Sequence, residues 1–351
     1  MQYFRNHEEY VRPYWDGGLI VNESILPLHK RGESGEVVIR LMNDIKRIVS
    51  VKTATLDVEF DEGRDYFVRD GLLVIPEDSR IGILSWEEYN PSEPDGKFNF
   101  TCGEGGYLLF GEGNSFHKRQ YAVTYESASN CFDGCYHPTA APELANSRRL
   151  IDSVGLKLAF YGDSITYGAN ASGLSVGLAP FMPIYPMLAA ETLRGRGYTI
   201  DYYNPSIGGL DSAWGRSKAA YYFDSFKPDL TLIAFGMNDG TGRLPADRFV
   251  DNIKSIIDSI RRGNPAAEFI LTATTLPNPL ANYFCGLQPD YEQPLGELAK
   301  SEGCAFLDMT ELHRILLSRK EYYHMTGNNI NHPSDFLARV YAQGLLTLLD
   351  R

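Results

Sequence analysis

The chain is short of several features that mark whole classes of protein. Basic residues are outnumbered, 33 Lys and Arg against 45 Asp and Glu, for a formal net charge of −12. A nucleic-acid binder presents a basic stripe, and the densest basic runs here are only pairs, such as Arg148-Arg149 and Arg261-Arg262. Both read as helix-end or solvated charges. This excludes nucleic acid as a partner and favours a neutral substrate. Long apolar runs are also missing. No window approaches the ~18 apolar residues of a membrane span, and residues 1–15 lack the apolar core of a secretory signal. The expectation is a cytoplasmic protein with no membrane partner. Cysteine is scarce as well. Cys102, Cys131, Cys135, Cys285 and Cys304 are an odd set in 351 residues, which does not suit a disulfide framework. Cys131 and Cys135 form a Cys-Phe-Asp-Gly-Cys pair with His137 nearby, but structural zinc needs a second pair. Free thiols and no metal are expected.

What the chain does have is enough apolar sequence for more than one core. With 351 residues, 43% of them hydrophobic, two domains are the natural division. Up to about residue 130 the sequence reads as short strands at 36–41, 55–60, 71–76 and 120–126, separated by Gly, Pro, Asp and Asn clusters, without long helical periodicity. That pattern suggests an all-β sandwich or jelly roll. Residues 128–153 read as irregular and hold the junction, so the expected domains are 1–150 and 151–351. From Leu156 strands alternate with helices. Strands are expected at 157–161, 198–203, 229–235, 269–273 and 305–308, and helices at 183–194, 212–226, 245–262 and 336–349. The strand at 229–235 is almost wholly apolar, as when both faces of a sheet are covered. The alternation implies a parallel sheet of right-handed βαβ units, an α/β domain.

Four segments of this second half carry chemistry. At 160–168 a strand runs into a turn holding Gly162, Asp163 and Ser164. Ligands of open α/β sheets sit at such carboxyl ends. A serine opening the next helix exposes its Oγ and aims its own N–H at an incoming oxyanion; the same residues also suit a simple helix cap. After the next strand comes Asn204-Pro-Ser-Ile-Gly-Gly209, where glycine lets a backbone N–H approach a ligand or merely makes a tight turn. The strand after that ends in Phe235-Gly-Met-Asn-Asp-Gly240. Its Asn238 offers a side-chain N–H to an oxyanion, or builds a turn. Near the C-terminus, Asn328-Asn-Ile-Asn-His-Pro333 places His332 in a loop before the last helix, and histidine is the side chain suited to take a serine proton near neutral pH.

In order and spacing, these segments resemble four motif blocks of the SGNH (GDSL-type) hydrolase family, over residues from about 156 to the end. The resemblance implies a flavodoxin-like, three-layer α/β/α domain and a serine ester hydrolase that needs no cofactor. It further implies Ser164 as nucleophile, His332 as base, and an oxyanion hole made by the Ser164 and Gly209 N–H groups with Asn238. One position departs. The family usually has Asp three residues before the histidine, and this chain has Asn329. In a Ser-His-Asp triad that exchange costs about 10⁴ in turnover. Three arrangements are open: a Ser-His dyad with the imidazole held by a backbone carbonyl, another carboxylate such as Asp335 reaching in, or a weak or silent protein. The broad layout is similar to that of bimodular family-two carbohydrate esterases. This implies removal of a small acyl group, acetyl foremost, from a carbohydrate or other small-molecule ester, with Trp214 as a candidate substrate contact. The alternatives are a lipid or short-chain acyl esterase or thioesterase, with residues 172–186 as an acyl channel, and a catalytically silent carbohydrate-binding protein.

Overall fold

The structure is a computed structural model, which describes residues 7–94 and 100–350. Its N-terminal strands are β1 (Leu19–Ile25), β2 (Val37–Ile39), β3 (Ile45–Thr53), β4 (Glu59–Phe60), β5 (Phe67–Arg69), β6 (Leu72–Ile75), β7 (Phe100–Thr101), β8 (Tyr107–Leu108) and β9 (Tyr121–Ser127). They pair antiparallel in sheets of order β1-β9-β3-β4 and β2-β6-β5, with β7 and β8 as a separate hairpin. Ile48, Val51, Val123 and Tyr125 of the first sheet share an apolar cluster with Val37, Ile39, Leu73 and Ile75 of the second. Two sheets enclosing one core is the sandwich plan.

Three expectations are corrected here. The strand expected at 55–60 is mostly turn: Leu56 takes a left-handed backbone (φ +64°) and only Glu59–Phe60 is extended. The long strands β1 and β3 lie outside the expected set. Both carry register shifts against β9, which break the alternation that marks a strand. The segment 128–153 is not wholly irregular, because Ala145–Ile151 is a helix. Its first N–H groups are capped by Glu268: Asn146 and Ser147 donate to that carboxylate at 2.8 and 2.7 Å. A cap from so far along the chain leaves no local signal.

The second half matches its expected grammar closely. A parallel sheet of β10 (Leu156–Gly162), β11 (Ile200–Tyr203), β12 (Leu230–Ala234), β13 (Glu268–Ala273) and β14 (Ala305–Asp308) runs in the order β11-β10-β12-β13-β14. Its helices are α1 (Ser164–Tyr167), α2 (Tyr185–Gly195), α3 (Ser212–Phe226), α4 (Met237–Thr241), α5 (Ala246–Gly263), α6 (Glu292–Glu302), α7 (Met309–Leu317) and α8 (Asp335–Leu349). Strand residues alternate between faces. Leu156, Leu158 and Phe160 pack with α2, α7 and α8, whereas Ala159 and Tyr161 pack with α3, α5 and α6. The amphipathic α5 buries Ile253, Ile256, Ile257 and Ile260, each worth about 1.5–3 kcal/mol when removed from water. This is a three-layer α/β/α fold. The sheet order reverses between β10 and β12, and open α/β sheets bind ligands at such a switch point.

The apolar interior does not stop between the two halves, since the cluster of the antiparallel sheets continues into the face covered by α2 and α8. Polar ties reinforce it. Lys320, wholly buried, pairs with the wholly buried Glu23 of β1, which also accepts from the Met42 N–H and the Tyr125 hydroxyl, each at 2.8 Å. Arg339 of α8 donates to the Val21 and Asn22 carbonyls of β1 at 2.8 and 2.7 Å. We keep the division near residue 150 as a proposal about chain organisation; the packing runs across it. Among the described residues no helix is long and apolar enough to cross a membrane.

Candidate active site

Loops from the carboxyl ends of β10, β11 and β12 converge beside the loop that leads into α8. At the end of β10 the Asp163 carboxylate caps α1 by accepting the Ile165 N–H at 2.9 Å, and the Met237 N–H of α4 also favours its charged form. One aspartate thus ties the serine turn to the Asn238 turn. Burial pushes its carboxyl up to about 7, against the pull of the Ile165 N–H. Ser164 opens the helix and is 6% exposed. The loop after β11 is fixed to both flanks of this serine. The Gly162 N–H donates to Ser206 Oγ at 2.9 Å, and Asn204 Nδ2 donates to the Thr166 carbonyl at 3.0 Å. Gly208 backs onto Ser164, since a Cβ there would stand 3.5 Å from the serine Cβ. Gly209 beside it has φ +77°, a left-handed backbone that glycine takes without strain.

Asn238 lies in α4. Its Nδ2 donates to the Leu210 carbonyl at 2.9 Å, which settles the amide's orientation and uses one of its two hydrogens. The adjacent Asp239 is raised by burial and holds the Ser212 N–H at 3.0 Å, joining this turn to the start of α3.

His332 completes the cluster. Its Nε2 lies 2.9 Å from Ser164 Oγ. The loop that carries it is organised by Asn328, whose Oδ1 accepts the N–H groups of Ile330, Asn331 and His332 at 3.0, 3.1 and 3.0 Å. Behind the imidazole, Nδ1 lies 2.7 Å from Asn170 Oδ1 and 3.3 Å from Glu112 Oε2. The network fixes the tautomer. Asn170 Nδ2 points at the Gly113 and Gly327 carbonyls, at 3.3 and 3.1 Å, so its Oδ1 faces the ring and can only accept. The Asn328 Nδ2 group, 3.0 Å from Nδ1, has Glu112 Oε1 and Asn331 Oδ1 for its two hydrogens, both at 3.0 Å. Nδ1 therefore carries the proton and donates to Asn170, which leaves the Nε2 lone pair free for the serine hydroxyl. Asn170 reaches this position because Gly327 has no side chain; a Cβ there would meet Asn170 Cβ at 2.5 Å.

The sequence reading thus finds Ser164, His332, Gly209 and Asn238 on segments that the fold gathers together. It is corrected on the group behind the histidine. Asn329 does not touch His332: its Nδ2 donates to the Leu109 carbonyl at 3.0 Å, and its Oδ1 accepts from Tyr89 and Asn278 at 3.2 and 3.1 Å. Asp335 is turned to the Ser172 N–H, 3.0 Å away, and burial raises its carboxyl. The acceptors at Nδ1 are side chains, Asn170 and Glu112, rather than a backbone carbonyl. Trp214 is half-buried and packs its indole in an aromatic group with Tyr161 and Tyr222, at ring distances of 6.0 and 5.9 Å; its contact with substrate stays a proposal. Sequence reasoning misses Asn170 and Glu112. Asn170 sits in an ordinary-looking turn after α1, and Glu112 stands 220 residues from His332, beyond the reach of any local pattern. The five cysteines are unpaired. A concavity of about 820 Å³ lies elsewhere, between β2 and residues 317–324; the chemistry converges on Ser164, which is the candidate site.

The chain is similar to several known proteins. An arylesterase of Vibrio mimicus is 29% identical over 105 residues, which are 30% of this chain and 48% of that protein. The match spans about half the length of that relative. Among solved structures, the acetylxylan esterase Axe2 of Geobacillus stearothermophilus is 18% identical over 56% of this chain and 95% of its own, with a TM-score of 0.47. The acetyl xylan esterase AlAXEase is 21% identical over 55% of this chain and 98% of its own, with a TM-score of 0.45. Residues 160–339, just over half of the sequence and spanning every segment of the site from β10 to His332, match the pattern of the GDSL-like lipase/acylhydrolase family. The chain belongs to that family.

Proposed function

We propose that this protein is a serine ester hydrolase that removes a small acyl group, acetyl foremost, from a carbohydrate. The observation that carries the reading is the 2.9 Å contact between Ser164 Oγ and a His332 Nε2 whose tautomer leaves it a free lone pair. In the first step Nε2 takes the hydroxyl proton as Oγ attacks the ester carbonyl. The oxyanion is met by the Ser164 and Gly209 N–H groups and by the second hydrogen of Asn238 Nδ2. Collapse of this adduct breaks the bond to the alcohol, which leaves with the proton held on Nε2. Water then gives a proton to Nε2 as it attacks the acyl-enzyme, and collapse of this second adduct breaks the bond to Oγ, which takes the proton back from Nε2 as the acid leaves.

A short acyl group suits a serine that is only 6% exposed and backed by Gly208. For the alcohol, Tyr167 and Ile207 stand 47% and 41% exposed on the two segments flanking Ser164, and a rim with an aromatic face suits the apolar side of a sugar ring. The net charge of −12 disfavours an anionic substrate. A second reading, hydrolysis of lipid or short-chain acyl esters, draws on Leu174 and Phe181, each 45% exposed on the 172–186 segment.

The test compares 4-nitrophenyl acetate, 4-nitrophenyl octanoate and an acetylated xylan or mannan oligosaccharide, with wild type and Ser164→Ala. Serine-dependent release of acetate from the oligosaccharide is the expected result. Preference for the octanoate would favour the lipid reading, and no hydrolysis of any ester would remove the function.

A further inference from the structure

We propose that Glu112, carried on the antiparallel-sheet side of the chain, supplies the negative charge behind His332 while Asn170 fixes the tautomer, so that the orienting function of the site is divided between two residues from two halves of the sequence. This rests on the reading of Ser164 and His332 as nucleophile and base.

The group behind a catalytic histidine has two duties. It must hold the ring in the tautomer that leaves Nε2 free, and it must stabilise the imidazolium that forms as the serine proton is taken. Asn170 Oδ1, 2.7 Å from Nδ1, performs the first. A neutral amide cannot perform the second. Glu112 can: its Oε2 is 3.3 Å from Nδ1, and its Oε1 is held by Asn328 Nδ2 at 3.0 Å. Burial works to raise the Glu112 carboxyl, but its bond to His332, the imidazole charge and the bond from Asn328 keep it below its ordinary value, so it is ionised at neutral pH. Asp163 also feels the imidazole charge, but burial holds it near 7, so it is only partly charged there. Glu112 is the lasting negative charge at the ring.

The segment around Glu112 is built into the site. Within five residues, the Leu109 carbonyl accepts from Asn329, Glu112 reaches Asn328 and His332, and the Gly113 carbonyl accepts from Asn170. The position where the family usually has its acid is thus occupied by an amide that clasps this segment, and the segment in turn delivers a carboxylate to the ring.

The experiment uses the full chain and the near-isosteric Glu112→Gln, with its urea midpoint checked against wild type. The first readout needs no turnover: His332 is titrated by NMR in both proteins. Loss of the carboxylate should move the midpoint down by about one pH unit. The second is 4-nitrophenyl acetate hydrolysis. Here kcat should fall about 10–100-fold with KM little changed, less than for a lost triad acid because Asn170 still holds the tautomer. The acidic limb of the pH profile should move to lower pH. A wild-type titration with wild-type kcat overturns the proposal. A lower kcat with an unmoved titration also overturns it, since Glu112 would then be a clasp only. If wild type hydrolyses no ester while the titration still moves, the hydrolase reading fails and the charge assignment stands.

Discussion

Asn329 donates its side-chain N–H to the Leu109 carbonyl at 3.0 Å. That bond joins the histidine loop to the stretch bearing Glu112, in a place where Asn329 is wholly buried. An aspartate there would keep the bonds accepted from Tyr89 and Asn278 but would set a carboxylate oxygen against a carbonyl oxygen. We therefore expect Asn329→Asp, although it restores the usual family residue, to lower stability by about 1–3 kcal/mol, the cost of a buried group left unpaired. It should not raise kcat. Urea unfolding with 4-nitrophenyl acetate kinetics on the same samples checks both, and a gain in kcat would show that the new carboxylate reaches His332.

The Asn238 amide gives one hydrogen to Leu210 and keeps one. If the second meets the oxyanion, its removal costs transition-state binding and little ground-state binding. Asn238→Ala should lower kcat about 10²–10³-fold with KM within a few-fold. A rise in KM at constant kcat would instead assign Asn238 to substrate binding.

How much of this could be read from the chain follows from how local each feature is. Ser164, Gly209, Asn238 and His332 each sit in a short segment next to a strand or helix end whose apolar pattern is visible along the sequence. Asn170 and Glu112 are recruited by contacts across the fold, and Glu112 belongs to a half with no motif of its own. The same contrast governs the elements. β12, covered on both faces, is plain as the apolar run Leu230–Ala234. β1 is not, because Asn22 takes φ +49° at a register shift and the next residue is a buried glutamate. Glu23 reads as a solvent-facing residue until Lys320 is brought to it by the fold. Ala145–Ile151 shows the same limit, since its cap comes from Glu268.

The buried Asp163 sets a pH dependence with a definite sign. Its carboxyl titrates near 7 in the folded chain and near 3.9 when unfolded. Between those values the folded state binds the extra proton, so this group's contribution to stability is full below pH ~4 and is lost as pH rises towards 7. His313 runs the other way: burial lowers it to about 3, so its contribution is present above its unfolded value near 6.5 and is lost as pH falls. A comparison of single variants isolates Asp163. The stability difference between wild type and Asp163→Asn, measured by urea unfolding between pH 5 and pH 8, should move in favour of the variant as pH rises. The slope is at most about 1.4 kcal/mol for each step of one in pH, which makes a few kcal/mol across the range. A pH-independent difference would mean that Asp163 is already ionised at pH 5.

The Lys320–Glu23 pair tests whether the two halves fold as one. Both side chains are wholly buried, and Lys320 also donates to the Ser24 carbonyl at 3.1 Å while lying 5.2 Å from the Phe336 ring. The pair thus joins β1 to the segment after α7 and to the start of α8. Lys320→Met keeps the length of the side chain but strands the Glu23 charge, which should cost about 3–5 kcal/mol. Adding Glu23→Gln removes that charge while retaining an oxygen to accept from Met42 or Tyr125, so the double variant should recover part of the loss. Because one apolar cluster spans both halves, the loss should fall on the whole chain. Trp86 of the antiparallel half and Trp214 of the parallel half, followed in single-tryptophan backgrounds, should report the same lowered urea midpoint. A change confined to Trp86 would mean that the halves unfold separately, and the catalytic half could then lose Glu112 while remaining folded.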